Sequence, residues 1–172
     1  MKIKAISFVI VCAGLMFGGI SQSFADFKWY AGSECVRWDE SIDPATYINS
    51  SRRFNPSTTR RLRLDCPSIH DRGANILGSF VRVIDRHPGD RVCARMVAVR
   101  QIDSSFVSRS GPRTCTGTAW NSPNPVVLNT GGLTGIWSDM YYYHSVYQIP
   151  ARYEGRSSGV VSYYVSEFNG FD

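Results

Sequence analysis

The chain has 172 residues, 43% of them hydrophobic and 13% aromatic, which is enough apolar material for a packed core and excludes an intrinsically disordered chain. Nineteen Lys and Arg stand against 14 Asp and Glu, a formal net charge of +5. That excess is mild and argues against nucleic acid as the partner.

The first 25 residues read as an address. Lys2 and Lys4 form a positive start, Ala5 to Ile20 is uncharged and mostly apolar, and Ser23-Phe24-Ala25 places small residues where a signal peptidase cuts. Cleavage after Ala25 is expected, with a secreted or periplasmic product. The apolar run falls short of the about 20 residues of a membrane span, and no second run follows. Cys12 lies inside this run, not at its end, which argues against a lipoprotein anchor. Removing 25 of 172 residues leaves 147, read as one domain over 26–172. Losing Lys2 and Lys4 also brings the charge to about +3. Lys28 is then the one Lys beside 16 Arg. Arg suits exposed strand faces, because its stem covers apolar neighbours while the head stays wet.

Four cysteines remain: Cys35, Cys66, Cys93 and Cys115. An even number in an exported chain predicts two disulfides. No CxxC or Cys/His cluster occurs, so no metal site is expected. Sequential pairing, Cys35–Cys66 and Cys93–Cys115, is favoured. The second pair is centred on Asp103-Ser104-Ser105, where a simple hairpin would bring both sulfurs opposite one another.

In chain order, Trp29, Val36 and Trp38 seed one short strand tied down by Cys35. Residues 46–60 are polar and turn-rich, punctuated by Asn55-Pro56. Arg61-Leu62-Arg63-Leu64-Asp65 alternates polar and apolar, predicting a half-buried strand that ends at Cys66-Pro67. Two β-branched-rich runs, Phe80 to Asp85 and Arg91 to Ile102, flank Arg86-His87-Pro88-Gly89-Asp90. This reads as a central hairpin whose Gly89 accepts positive φ, so that Gly89→Val is destabilising. Val81 and Val83 share one face, and Val92, Ala94, Met96 and Ala98 share another. A polar hairpin follows, then a short strand at Val126-Val127-Leu128 and a loop over Thr130 to Gly135. Met140 to Ile149 is a strand with Tyr141, Tyr143, Tyr147 and Ile149 on one side and Tyr142, His144 and Val146 on the other. The last strand runs from Gly159 to Ser166, with Val161, Tyr163 and Val165 inward. No window has helical periodicity. Short strands separated by turn signals predict an all-β, antiparallel β-sandwich of jelly-roll or Greek-key type with two disulfides.

Several landmarks resemble a group of small exported bacterial proteins with a disulfide-bonded β-sandwich. They are Cys35, Leu64-Asp65-Cys66-Pro67, Val81-Arg82-Val83-Ile84-Asp85 ahead of Arg91-Val92-Cys93, Tyr142-Tyr143, Ile149-Pro150, Tyr153-Glu154-Gly155-Arg156-Ser157 and Ser162-Tyr163-Tyr164-Val165-Ser166-Glu167. The resemblance implies an exported β-sandwich and carries over no catalytic residue. Such sequences can hold a cysteine two residues before the Ile-Pro pair, where this chain has Tyr147.

Candidate chemistry is sparse. His70-Asp71 beside Ser68 or Ser79 lacks any nucleophile-elbow context. Asp85, His87 and Asp90 cluster at a turn, which recruits such residues for backbone reasons. Arg52, Arg53, Arg60, Arg61 and Arg63 with Phe54 form the densest basic stretch, read either as a solvated edge strand or as a contact for envelope phosphates. Trp120, Trp137, Tyr141, Tyr142 and Tyr143 flank the glycine loop and are read either as core and cross-strand pairs or as the candidate ligand site, with sugar rings stacking on them. The expected function is an exported binding module for carbohydrate or envelope components, with no catalytic residue and no cofactor. A protein-interaction or inhibitor-like module working through edge strands is the alternative. An exposed aromatic shelf favours the first; an open edge strand favours the second.

Overall fold

A computed structural model describes residues 26–41, 44–69, 75–117, 122–133 and 141–168. Twelve strands are found there, and no α-helix; a 3-10 turn at Gly32–Glu34 is the sole helical element among the described residues. The first sheet contains β10 (Val126–Asn129), β6 (Asn75–Ile84), β12 (Gly159–Phe168), β4 (Arg52–Phe54) and β3 (Tyr47–Asn49), in that order, with β1 (Asp26–Ala31) also paired to β12. The second contains β2 (Val36–Arg37), β5 (Leu62–Ser68), β11 (Tyr141–Ile149), β7 (Cys93–Ile102) and β8 (Ser105–Ser110), with β9 (Thr114–Cys115) also paired to β7. Every pairing is antiparallel. The protein is an all-β sandwich. Successive strands cross between the sheets, from β5 to β6 to β7 and from β10 to β11 to β12, as in a jelly roll.

The core lies between the inner faces. Leu62, Leu64 and Cys66 are buried at every second position of β5, as their alternation predicts. Val81 and Val83 from β6 meet Val92, Ala94, Val146, Ile149 and Tyr163 in one buried cluster, and Ile76, Met96, Ala98 and Val165 form a second. Tyr30 packs against both clusters, and the Tyr163 hydroxyl donates 2.6 Å across the sandwich to the Pro67 carbonyl.

Both disulfides form as expected, Cys35–Cys66 and Cys93–Cys115. The two-residue turn at Asp103-Ser104 closes β7 on β8, and the ladder continues into β9 with Cys93 directly opposite Cys115. On its other side Cys93 faces Tyr147 of β11.

Four expectations are corrected. The runs around residues 86–90 do not pair as a hairpin, since β6 belongs to the first sheet and β7 to the second. The turn is a corner held by Asp85. This fully buried carboxylate accepts the backbone N–H groups of His87 and Val92, both at 3.1 Å, and the hydroxyls of Ser158 and Thr116. Gly89 is exposed and outside the positive-φ region, and a Cβ there would meet only His87, at 3.9 Å. Trp29, Val36 and Trp38 do not share a strand: the 3-10 turn sends β1 to the first sheet and β2 to the second, leaving all three side chains exposed. Register shifts change two inward sets, because an irregularity in a ladder turns the following side chains to the opposite face. Between Val160 and Ser162 the shift makes Val160 the buried residue in place of Val161. Between Val146 and Ile149, with Gln148 at φ 58°, it turns Ile149 inward beside Val146. Finally, the polar stretch at 46–60 contains the β3–β4 hairpin, turned by Ser50 and Ser51 at φ 48° and 64°. Positive φ at both central residues belongs to the type I′ turn, usually written with Asn and Gly, so a Ser-Ser pair gives no signal of it.

Candidate functional site: an aromatic row on the outer face of the first sheet

Pairing of β1 with β12 builds an aromatic surface on the outer face of the first sheet. β1 lies along β12 with Trp29 opposite Tyr164 and Tyr30 opposite Tyr163. Side chains alternate between faces, so one pair points out and the other in. The inward pair stacks at 4.9 Å within the core. The outward pair stacks at 4.2 Å, and on the other side of Tyr164 lies Phe80 of β6, stacked at 4.6 Å. Three rings from three strands thus form a row, in register with Asn129 of β10.

The neighbouring outward positions are short. Ser162 and Ser166 flank Tyr164, and Gly78 flanks Phe80, whose ring would lie 3.3 Å from a Cβ at position 78. The rings consequently stand above their surroundings. Trp29 is 60% exposed, and Phe27 beside it on the same edge strand is 57% exposed. Because the stacked rings turn their faces to one another, the free surfaces are ring edges and the outer face of Trp29. Val127 and Arg82 occupy the adjacent row and extend the surface with one apolar and one cationic group.

Trp120, Trp137, His70 and Asp71 fall outside the described residues. Tyr141, Tyr142 and Tyr143 lie on β11, in the second sheet. Tyr143 is half-buried, and burial raises its phenol pKa, with Asp65 adding to the rise and Arg63 and Arg95 opposing it. The outer face of this sheet carries arginines against aromatic rings. Arg63 lies 4.1 Å from the Trp38 centroid, while Arg95 and Arg113 lie 5.7 and 5.6 Å from that of Tyr147. These stacks put the arginine stems and guanidinium planes to use as cover.

The basic stretch is divided between the two sheets. Arg52 and Arg53 lie on β4, whereas Arg63 lies on β5. Arg61 pairs with Asp90 at 2.7 Å across the corner, and the Asp90 carboxylate also accepts the Arg91 N–H. No group of three or more ligating side chains that could hold a metal occurs among the described residues. His144 is fully buried, edge-on to Tyr163 at 5.5 Å, and neither ring nitrogen has a hydrogen-bond partner. Desolvation pushes its pKa down to about 3, so it is a neutral core side chain.

No family model matches the chain, and no curated protein matches it. Solved structures give weak likenesses. One is a family two carbohydrate esterase from Cellvibrio japonicus, with TM-score 0.49 and 7% identity over 85% of this chain. The chain spans 36% of that esterase's length. Another is the carbohydrate-binding module CBM36 in complex with calcium and xylotriose, with TM-score 0.44 and 9% identity over 83% of this chain and 99% of that module.

Proposed function

We propose that the protein is an exported, non-catalytic module, one domain over 26–172 after loss of residues 1–25, that binds carbohydrate or another envelope component. The observation carrying this reading is the Trp29–Tyr164–Phe80 row on the outer face of the first sheet, with Trp29 exposed and Tyr164 and Phe80 half-buried beside it. An exposed apolar patch of this kind marks an interaction surface. Its make-up suits a ligand with both apolar and hydroxyl faces, since the outer face of Trp29 packs C–H groups and Arg82 and Asn129 offer polar contacts alongside. The two disulfides fit an oxidising compartment. No helix among the described residues is long and apolar enough to cross a membrane.

The test is binding of the mature chain to soluble polysaccharides and isolated envelope fractions. Trp29→Ala is expected to weaken binding by about tenfold or more, as loss of an aromatic hot spot does, without changing the melting temperature. A Trp137→Ala, Tyr142→Ala double variant is run alongside. Loss confined to that variant moves the site to the group singled out from the sequence, Trp120, Trp137, Tyr141, Tyr142 and Tyr143.

A second reading rests on β8. Ser105–Ser110 is exposed throughout, pairs only with β7 among the described residues, and shows Phe106 69% exposed. Open edges of this kind accept an added strand. Binding abolished by Val107→Pro but unchanged by Trp29→Ala favours this protein-interaction role.

A further inference from the structure

The β3–β4 hairpin, the corner after Asp85 and the turn around Gly155 enclose a cleft of about 490 Å³ that shares no lining residue with the aromatic row. Arg52, Arg86 and Arg152 line it, and no carboxylate among the described residues does. Each arginine comes from a backbone segment fixed independently. Arg52 opens β4, opposite Asn49 of β3. The Arg86 N–H donates to Ser158 Oγ at 2.9 Å, and the Arg152 N–H donates to the Ser57 carbonyl at 2.6 Å. No side-chain hydrogen bond or ion pair engages any of the three guanidinium groups among the described residues, and Arg86 Nε is buried without a partner.

On the outer face of the second sheet two arginines are engaged by polar partners, while Arg95, whose Nε is also buried without a partner, lies against a ring. There Arg63 donates to Ser145 and lies 3.7 Å from Asp65, Arg113 donates to Gln148 at 3.0 Å, and Arg95 and Arg113 lie against Tyr147. Unpaired cations converging on one cleft call for an anion. One carboxylate is satisfied by a single Arg fork, whereas a phosphate offers more acceptor oxygens and close to two charges. The cleft is far larger than a phosphate, and Tyr47 and Phe54 form an aromatic wall, their centroids 6.3 Å apart. Asn49 and Ser157 add hydroxyl-matching groups.

We propose that this cleft binds a phosphorylated saccharide, the guanidinium groups taking the phosphate and the Tyr47–Phe54 wall taking the sugar ring. It is a second site, independent of the aromatic row.

The test is calorimetric titration of the mature chain at low salt with glucose 1-phosphate, glucose 6-phosphate, glucose and inorganic phosphate. At least one phosphosugar is expected to bind about tenfold or more tightly than glucose or phosphate alone, and more weakly as salt rises. An Arg52→Gln, Arg152→Gln double variant removes two exposed guanidinium groups, so its melting temperature should hold while phosphosugar affinity falls about tenfold or more. Trp29→Ala should leave that affinity unchanged, which separates failure here from failure of the aromatic-row reading. Absence of binding by both phosphosugars, or binding unaltered in the double variant, overturns the proposal. Inorganic phosphate binding as tightly as either sugar phosphate also overturns it, by marking a free-anion site.

Discussion

Asp85 does its work as a buried carboxyl side chain whose four donors come from three parts of the chain. Two are backbone N–H groups of the corner it closes; the others are hydroxyls of Thr116, just after β9, and Ser158, just before β12. Asp85→Ala leaves the His87 N–H and the Ser158 and Thr116 hydroxyls without this acceptor, the Val92 N–H keeping only Thr116 Oγ1, and a stranded buried donor costs about 1–3 kcal/mol. We expect a loss of roughly 3 kcal/mol or more in denaturant unfolding, and an unchanged midpoint would remove Asp85 from the corner. His144 makes stability depend on pH. Its pKa is held at about 3 in the fold against 6.5 for the free side chain, so the unfolded chain binds the proton first. Stability from this group is complete above about pH 6.5 and falls as pH drops toward 3, by up to about 1.4 kcal/mol per unit. His144→Phe should flatten that part of the stability profile. A variant profile that still falls as steeply would assign the acid sensitivity to other groups.

Elements were legible where local pattern and tertiary role agree. The Leu62-Leu64-Cys66 alternation is a one-faced strand in both sequence and structure, and the midpoint of Cys93 and Cys115 located the β7–β8 turn. The corner at 86–90 misleads for a physical reason. Pro, Gly and Asp specify that the chain reverses, and hold no information on which sheet receives the next strand. Faces were misjudged after the ladder irregularities at 146–149 and 160–162, because period-2 counting has no memory of an inserted residue. Glycines make the point testable. A Cβ on Gly159 would lie 2.2 Å from the Arg53 carbonyl and 2.8 Å from the Phe54 Cα, where β12 meets β4. Gly159→Val should therefore destabilise by roughly 3 kcal/mol or more or prevent folding, whereas exposed Gly89→Val should cost about 0.5 kcal/mol or less. The reverse order of melting temperatures would return the critical turn to position 89.

At the scale of the molecule, the sandwich brings together what the sequence holds apart. Trp29, Phe80 and Tyr164 come from the beginning, middle and end of the described chain, and meet because β12 lies between β1 and β6. No spacing rule could join them, so the aromatic-rich stretch near the glycine loop drew attention first. The same holds for Arg52, Arg86 and Arg152, of which only the first belongs to a visibly basic stretch. What composition conveys is the material of the surface: abundant rings and Arg in a mildly charged chain. The central claim, that the outer aromatic face of the first sheet is a binding surface, is tested most directly by amide chemical-shift mapping of the labelled mature domain. The titrant is the soluble polysaccharide or envelope fraction that binds it. The account predicts saturable shifts clustered at Trp29, Phe80 and Tyr164 that vanish in Trp29→Ala. Shifts confined to β11 and β8, with β1, β6 and β12 unmoved, would contradict it.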